Sequence, residues 1–357
     1  MSDGDRLSIV AFNSETEVLL ESSVLDADVR ARARQAIDGL EARGTTDMAG
    51  GLSAGLQQVL AHRSDDAINR LVLLGDGIPN DASAIPNLAR SAGGRGIAIS
   101  ALGLGLDYDE ALMGDVAQLS GGHFHYLESS EAVASVFRDE VVRLERVVAR
   151  NASLVLQPGP GVIISSVVGQ QTPGGRSTLS IALGDIAEGE SKDVVVRLRV
   201  PAKREGSAVE LLDARLSFID AVDDAGSLRR DVFLGADATA SEEQLASGQN
   251  QDVMNAAEQA SAAAATIQAI RVVRAGHLAE ARRMLEETQR RMSKNTGSAN
   301  RAYTSSVAAF VEELEDAEAT DADRAPTLES GEPAPAPPRM ERRLREAHEA
   351  SMDVLGY

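Results

Sequence analysis

From Arg6 to Val147, short apolar runs alternate with longer segments whose apolar side chains recur every three or four residues. "RLSIVAF" (Arg6 to Phe12) reads as a buried strand. "EVLL" (Glu17 to Leu20) follows after a short polar link, which predicts a hairpin-like pair. Val29, Ala33, Ile37 and Leu40 have helical spacing, as do Leu52, Leu56, Val59 and Leu60 in a second helix from about Met48. The series continues with a strand at Leu71–Leu74, a helix near Ala84–Ala92, a strand at Ile97–Leu104 and a helix near Glu110–Leu119. A short strand in "HFHYL" and a helix over Glu131–Val147 complete it. Parallel strands need a crossover, usually helical, so this alternation predicts a mostly parallel α/β sheet with helices on both faces. In such sheets ligands bind beyond the carboxyl ends of the strands.

The pattern changes near Asn151. "SLVLQPGPGVIISSVVG", "STLSIALGD", "KDVVVRLRVP" and "LLDARLSFID" are strand-like runs separated by Gly and Pro turns, which predicts an antiparallel β-sandwich over 148–236. An Ala-rich helical region follows over 240–318, broken near "KNTGSAN". Within it "GHLAEARRMLEE" resembles half of a helical-hairpin repeat, without a second copy at fixed period. An acidic, Pro-rich stretch over 319–339 contains "EPAPAPP" and reads as a disordered linker. The last stretch, 340–357, is predicted as an amphipathic helix with Met340, Leu344, Met352 and Leu355 on one side.

Composition narrows the function classes. A net charge of −20 argues against nucleic-acid binding, which needs a basic face, and against adsorption to an anionic membrane. The absence of cysteine excludes disulfides, thiolate metal sites and Cys nucleophiles, and leaves the compartment open. No run approaches the roughly 18 consecutive apolar residues of a membrane span, and no signal peptide is visible. Only Lys192, Lys203 and Lys294 are lysines among 35 basic residues, which reads as the codon bias of a GC-rich bacterial genome.

The residue that most suggests chemistry is Asp76, in "LVLLGDGIPND", where an apolar strand breaks on a carboxylate at the ligand-binding end of the sheet. An ordinary turn is one reading. A thiamine-diphosphate site would need a further Asn downstream and a longer chain. A metallophosphatase would need clustered histidines, whereas the five here are scattered. The remaining reading is a hard-cation site of oxygen ligands. Upstream, "GTTDMAGGL" places Thr45 and Thr46 just before a helix, where a hydroxyl serves as an N-cap or as a metal ligand.

Taken in order, "DRLSIVAFNSETEVLL", "GTTDMAGGL", "NRLVLLGDGIPND", "GIAISALGLGLDYDEALM" and "SGGHFHYLES" resemble a bacterial von Willebrand factor type A domain over roughly residues 3–147. The resemblance implies a doubly wound sheet carrying a metal-ion-dependent adhesion site. There Mg²⁺, or Mn²⁺ or Ca²⁺, is held by a DxSxS motif, a threonine and an aspartate, and a partner's carboxylate completes the shell. Thr46 matches the threonine and Asp76 the aspartate. Gly75 departs from the family, which usually has Thr or Ser before the aspartate. The implied function is protein–protein interaction, not catalysis. The alternative is a structural or assembly scaffold whose sandwich and helical region bind partners independently of metal.

The DxSxS motif and the strand preceding it are absent from this sequence. The expectation is a mis-placed start or gene truncation, with which any export signal would be lost too. The site is then incomplete. The missing strand is central in the family sheet, so its neighbours must pair directly or leave backbone groups unpartnered. Asp237-Ala-Thr239-Ala-Ser241 mimics the motif but reads better as the capping box Ser241-Glu-Glu-Gln244. Of Asp107, Asp109 and Glu110, at least one is expected to cap or favour the following helix, with partner contact the alternative. His123 and His125 share a strand face, with no third ligand evident for a metal. "LGLGL" opens no helix and is no dinucleotide fingerprint, and no GxxxxGK[ST] is present.

Overall fold

The computed structural model describes residues 1–41, 44–170, 178–223, 225–292, 301–322 and 338–357. The first strands are β1 (Arg6–Phe12) and β2 (Thr16–Val24), an antiparallel hairpin. Helices α1 (Ala27–Asp38) and α2 (Met48–Leu60) follow. Then come β3 (Asn69–Gly75), α3 (Ile85–Gly93), β4 (Ile97–Leu104), α4 (Glu110–Ser120), β5 (Phe124–Leu127) and α5 (Ser130–Leu144). Strands β3, β4 and β5 form a parallel sheet in that order, with Gly75 level with Gly103 and Leu104 level with Leu127. Strand β4 is buried almost throughout, as a strand covered on both faces must be.

The hairpin does not join this sheet: β1 pairs with β2, β3 with β4, and β1 with β3 not at all. Helix α2 nevertheless packs against both. A Cβ on Gly51 would run into the ring of Phe12 on β1, and one on Gly55 would come within 2.9 Å of Leu71 on β3. Two glycines one helical turn apart thus let α2 lie close over both strands. The direct pairing of β1 with β3 that the sequence allowed is not what the structure has: each is the edge of its own sheet. The apolar residues of β1 are accordingly only half-buried.

The remaining strands are β6 (Val147–Pro158), β7 (Ile163–Val167), β8 (Leu179–Ala187), β9 (Val196–Arg199), β10 (Ala208–Asp220) and β11 (Ser227–Asp237). One sheet has the order β11-β10-β6-β8, and β7 pairs with β9 antiparallel. By contact the chain divides into two compact units, Met1–Leu154 with Ile181–Glu190 and Leu216–Arg229, and Val155–Ser180 with Ser191–Arg215 and Arg230–Tyr357. The four strands of the larger sheet therefore contribute residues to both units.

The helices of the second unit are α6 (Glu242–Ser247), α7 (Gln251–Arg274), α8 (Leu278–Met292), α9 (Arg301–Ala322) and α10 (Pro338–Val354). Ser241 caps α6 by accepting from the Gln244 N–H at 3.3 Å, the role its sequence context predicts. On the Ala-rich α7 the buried Thr266 hydroxyl meets Tyr303 OH at 2.6 Å, and burial pushes the Tyr303 phenol up to about 12. Arg274 holds Glu341 with two hydrogen bonds of 2.5 and 2.6 Å. Met340, Leu344, Met352 and Leu355 are all buried, and Tyr357 OH accepts from Gln170 at 2.7 Å. The break at "KNTGSAN" and most of the stretch expected as a linker lie outside the described residues. Residues 319–322 instead end α9, and 338–339 open α10.

Candidate functional site

Two loops meet at the carboxyl end of the parallel sheet. The loop into α2 carries Thr45, Thr46 and Asp47; the loop leaving β3 carries Asp76, Gly77 and Asn80. The Asn80 backbone N–H donates to the Thr46 carbonyl at 3.0 Å, and its side-chain amide donates to Thr45 Oγ1 at 3.0 Å. The Thr46 hydroxyl lies so close to Gly77, the residue after Asp76, that a Cβ there would come within 2.7 Å of it. Asp76 is exposed and Thr46 half-buried. Asp47 is occupied as the N-cap of α2, its Oδ1 accepting from the Gly50 N–H at 2.9 Å. Its own N–H donates to the Asn13 carbonyl at 2.6 Å, which ties the β1–β2 turn to the same place.

The hydroxyl and carboxylate are oxygen donors of the kind a hard cation takes, but two donors are few for an ion that prefers six or more. Among the described residues no three acidic or histidine side chains are gathered to hold a metal. The arrangement thus suits a loosely held, largely hydrated ion. Gly75 sits between Met48 and Met113, and a Cβ there would meet their methyl groups at 3.4 and 3.8 Å, ordinary contacts. Its departure from Thr or Ser is therefore not imposed by a lack of room for Cβ.

Other candidates resolve into structural roles. Asp109 caps α4, its Oδ1 accepting from the Leu112 N–H at 2.9 Å, and Glu110 is buried in the first turn. Asp107 is exposed. His125 Nε2 lies 3.1 Å from Glu140 Oε1, and His123 Nε2 lies 3.4 Å from Glu190 Oε1, with the two rings stacked at 6.5 Å.

These histidines border a buried charged cluster that sequence reasoning missed. Arg70 of β3 meets Asp185 of β8 at 3.3 Å, both nearly inaccessible. Asp185 also accepts from the Asn151 N–H at 3.0 Å. Glu140 of α5 takes hydrogen bonds from Ser100 and His125, and Arg143 grips Glu190 through two contacts of 2.7 Å. The signals were charges inside apolar runs, Arg70 in "NRLVLL" and Asp185 in "IALGDIA". Ser100, Glu140 and His125 are not a hydrolytic triad. The carboxylate lies between serine and histidine, so no base faces the hydroxyl, and Ser100 is wholly buried.

Burial alone would raise the Glu140 carboxyl. Its hydrogen bonds from His125 and Ser100 and the Arg70 and His123 charges outweigh burial and hold it near 2, below the ordinary 4.5. A depressed acid adds stability that is present above its unfolded pKa and lost as pH falls through the folded one. The contribution, roughly 3 kcal/mol from the size of that shift, is therefore full above pH 4.5 and disappears towards pH 2. Urea unfolding from pH 7 to pH 2 should show this loss, and Glu140→Gln should flatten it. An unchanged slope in the variant would place the acid sensitivity elsewhere.

Residues 1–139 match the family model of the von Willebrand factor type A domain. Over these residues the chain is similar to that family, and the match stops short of half its length. Uncharacterized protein YfbK of Escherichia coli (strain K12) is 26% identical over 165 residues, 45% of this chain and 28% of the relative. Uncharacterized protein sll0103 of Synechocystis sp. is 27% identical over 177 residues, 48% of this chain and 41% of the relative. The alignments thus span less than half of either curated relative.

Among solved structures, the von Willebrand factor type A protein from Catenulispora acidiphila superposes with a TM-score of 0.68 at 20% identity. It covers 86% of this chain and 74% of its own. The ArnB paralog VWA2 from Sulfolobus acidocaldarius gives 0.54 at 15% identity, covering 98% and 79%. The human COPII-coat protein Sec24c gives 0.54 at 14%, covering 97% and 51%. At these identities the likeness is one of fold, and its coverage extends past the type A domain into the β and helical parts. Type A domains in general mediate protein–protein interaction, often through a divalent metal, and are generally non-enzymatic. No helix among the described residues is long and apolar enough to cross a membrane.

Proposed function

We propose that the type A domain is a protein-interaction module that engages a partner's carboxylate through a divalent cation at Thr46 and Asp76. The observation that carries this reading is the Asn80 stitching of two loops, which sets the Thr46 hydroxyl against the residue after Asp76 at the end of the sheet where ligands bind. The ion is Mg²⁺, or Mn²⁺ or Ca²⁺, and with two protein donors it keeps most of its water. A carboxylate from a partner then replaces one of those waters, and no catalytic base is required.

The test is a calorimetric titration of Mn²⁺ into the full chain. Weak, millimolar binding is expected, lost in Asp76→Ala and weakened about tenfold in Thr46→Ala. Binding indifferent to both substitutions would overturn the reading. Micromolar binding abolished by Asp76→Ala would show that donors beyond these two complete the site.

A second reading, a scaffold that binds through its β and helical parts independently of metal, is supported by the exposed apolar side chains Leu245, Val253 and Met254 on α6 and the first turn of α7. Partner capture insensitive to EDTA and to Asp76→Ala, but lost on deleting 241–357, would favour it.

A further inference from the structure

Strand β11 forms one edge of the four-stranded sheet, and its residues from Arg229 to Asp237 are all exposed. Its centre is nevertheless apolar: Val232, Phe233 and Leu234 are 54%, 60% and 47% exposed. Edge strands are normally blunted against pairing by charge, proline or a covering element. Here charges flank the centre but do not interrupt it.

The hydrogen bonds at both ends of β11 fix which backbone groups face outward. At its start the Asp220 N–H of β10 donates to the Gly226 carbonyl at 2.9 Å. At its end the Ala238 N–H donates to Ser207 at 2.9 Å, and the Ala238 carbonyl accepts from Gly206 at 2.7 Å. Gly226 and Ala238 both bond inward and both are even-numbered. Strand alternation therefore turns the odd residues Arg229, Asp231, Phe233, Gly235 and Asp237 outward for pairing. A Cβ on Gly235 would lie 3.1 Å from the Phe233 ring, as expected for neighbours on one face.

That outward set is self-complementary. In an antiparallel pair of identical strands centred on Phe233, the pairs whose backbones bond are Phe233 with Phe233, Asp231 with Gly235, and Arg229 with Asp237. On the other face Val232 meets Leu234. The register that matches hydrogen-bonding parity also sets basic against acidic at both ends and apolar against apolar in the middle. Asp231, which faces no charge across this pair, is already held by Arg215 of β10 at 2.9 Å.

We propose that β11 is a self-association edge, pairing antiparallel with β11 of a second copy about a two-fold axis at Phe233. One strand pair is small beside the ~1,200–2,000 Å² of a stable interface, so the dimer is reversible. This goes beyond the metal-dependent reading and is independent of Asp76.

Sedimentation equilibrium of the full chain with EDTA present reads the proposal directly. A concentration-dependent dimer is expected. Arg229→Asp should raise its dissociation constant about tenfold, because two opposite-charge pairs become like-charge pairs. Arg229→Asp combined with Asp237→Arg should restore wild-type dimerisation. Phe233→Pro, which removes an outward N–H at the axis and is tolerable on an edge, should leave a folded monomer by circular dichroism. A wild-type monomer at all concentrations would overturn the proposal, as would a dimer indifferent to Arg229→Asp or unrescued by the charge swap.

Discussion

Replacing Arg70 by methionine is expected to destabilise the protein by about 3–5 kcal/mol at neutral pH, the usual cost of stranding buried charges. The guanidinium is buried between Asp185 and Glu140, and burial drives its pKa down while Asp185 and Glu140 push it back up. Among the described residues Nε and Nη1 have no hydrogen-bond partner, so the side chain gives up hydration without full replacement. Its contribution rests on charge balance. Around it lie Asp185, Glu140 and Glu190 against Arg143, with His123 and His125 at the border. Without Arg70 the carboxylates face each other with one cation fewer. Glu140 loses one of the charges that hold its carboxyl low, so its protonation becomes easier and the loss in Arg70→Met should shrink as pH falls. Combining Arg70→Met with Asp185→Asn keeps an acceptor for the Asn151 N–H while removing the stranded charge. The double variant should be more stable than Arg70→Met alone, and urea unfolding of the four corners of that cycle measures the coupling. A double variant no better than the single would mean that the Arg70 stem, not its charge, supplies the stability.

This cluster also marks where sequence reading gave out. The elements themselves were plain, since β1 and β4 run from the first to the last residue of their apolar stretches. Their periodicity is local, and local preference agrees with the final packing. Ser241 was legible as a cap, and Asp109 as one of three candidates, for the same reason, because a cap bonds to a backbone only three residues away. Motif order pointed to Thr46 and Asp76 as candidates but not to Asn80, which stitches their loops, because its partners lie more than thirty residues upstream. The Arg70–Asp185 pair is worse placed still, at 115 residues apart. No periodicity reports such a contact. The only trace is a charge where the pattern calls for an apolar residue, and its partner cannot be named from that. The unpaired edges of β1 and β3 follow the same logic. Which strands lie side by side is a property of the sheet, and each strand reads as apolar whether or not a neighbour is present.

Gly184→Ala is expected to cost about 3–5 kcal/mol, well beyond what a glycine-to-alanine change costs through backbone conformation alone. Gly184, in β8, has φ +72°, in the left-handed region, where a Cβ costs about 1–2 kcal/mol. A Cβ there would also overlap the carbonyl oxygen of Gly121, and one on Gly121 would sit 2.5 Å from the Gly184 nitrogen. The two backbones therefore touch without side chains between them. Gly121 has little freedom to retreat, since it ends α4 in the left-handed conformation, φ +77°. Its N–H donates to Gln118 at 3.3 Å and the next N–H, of Gly122, donates to Ala117 at 2.9 Å. A Cβ on Gly122 would in turn run into the backbone of Ile99 on β4, so the whole turn is wedged between two strands. Gly189 supplies the control. Its φ is +80°, but among the described residues a Cβ there meets nothing within 4 Å, so Gly189→Ala should carry the conformational term alone, about 1–2 kcal/mol. Subtracting one urea-unfolding cost from the other isolates the close approach of β8 to the end of α4. Equal costs for the two substitutions would mean that the contact yields without loss and that backbone conformation accounts for both.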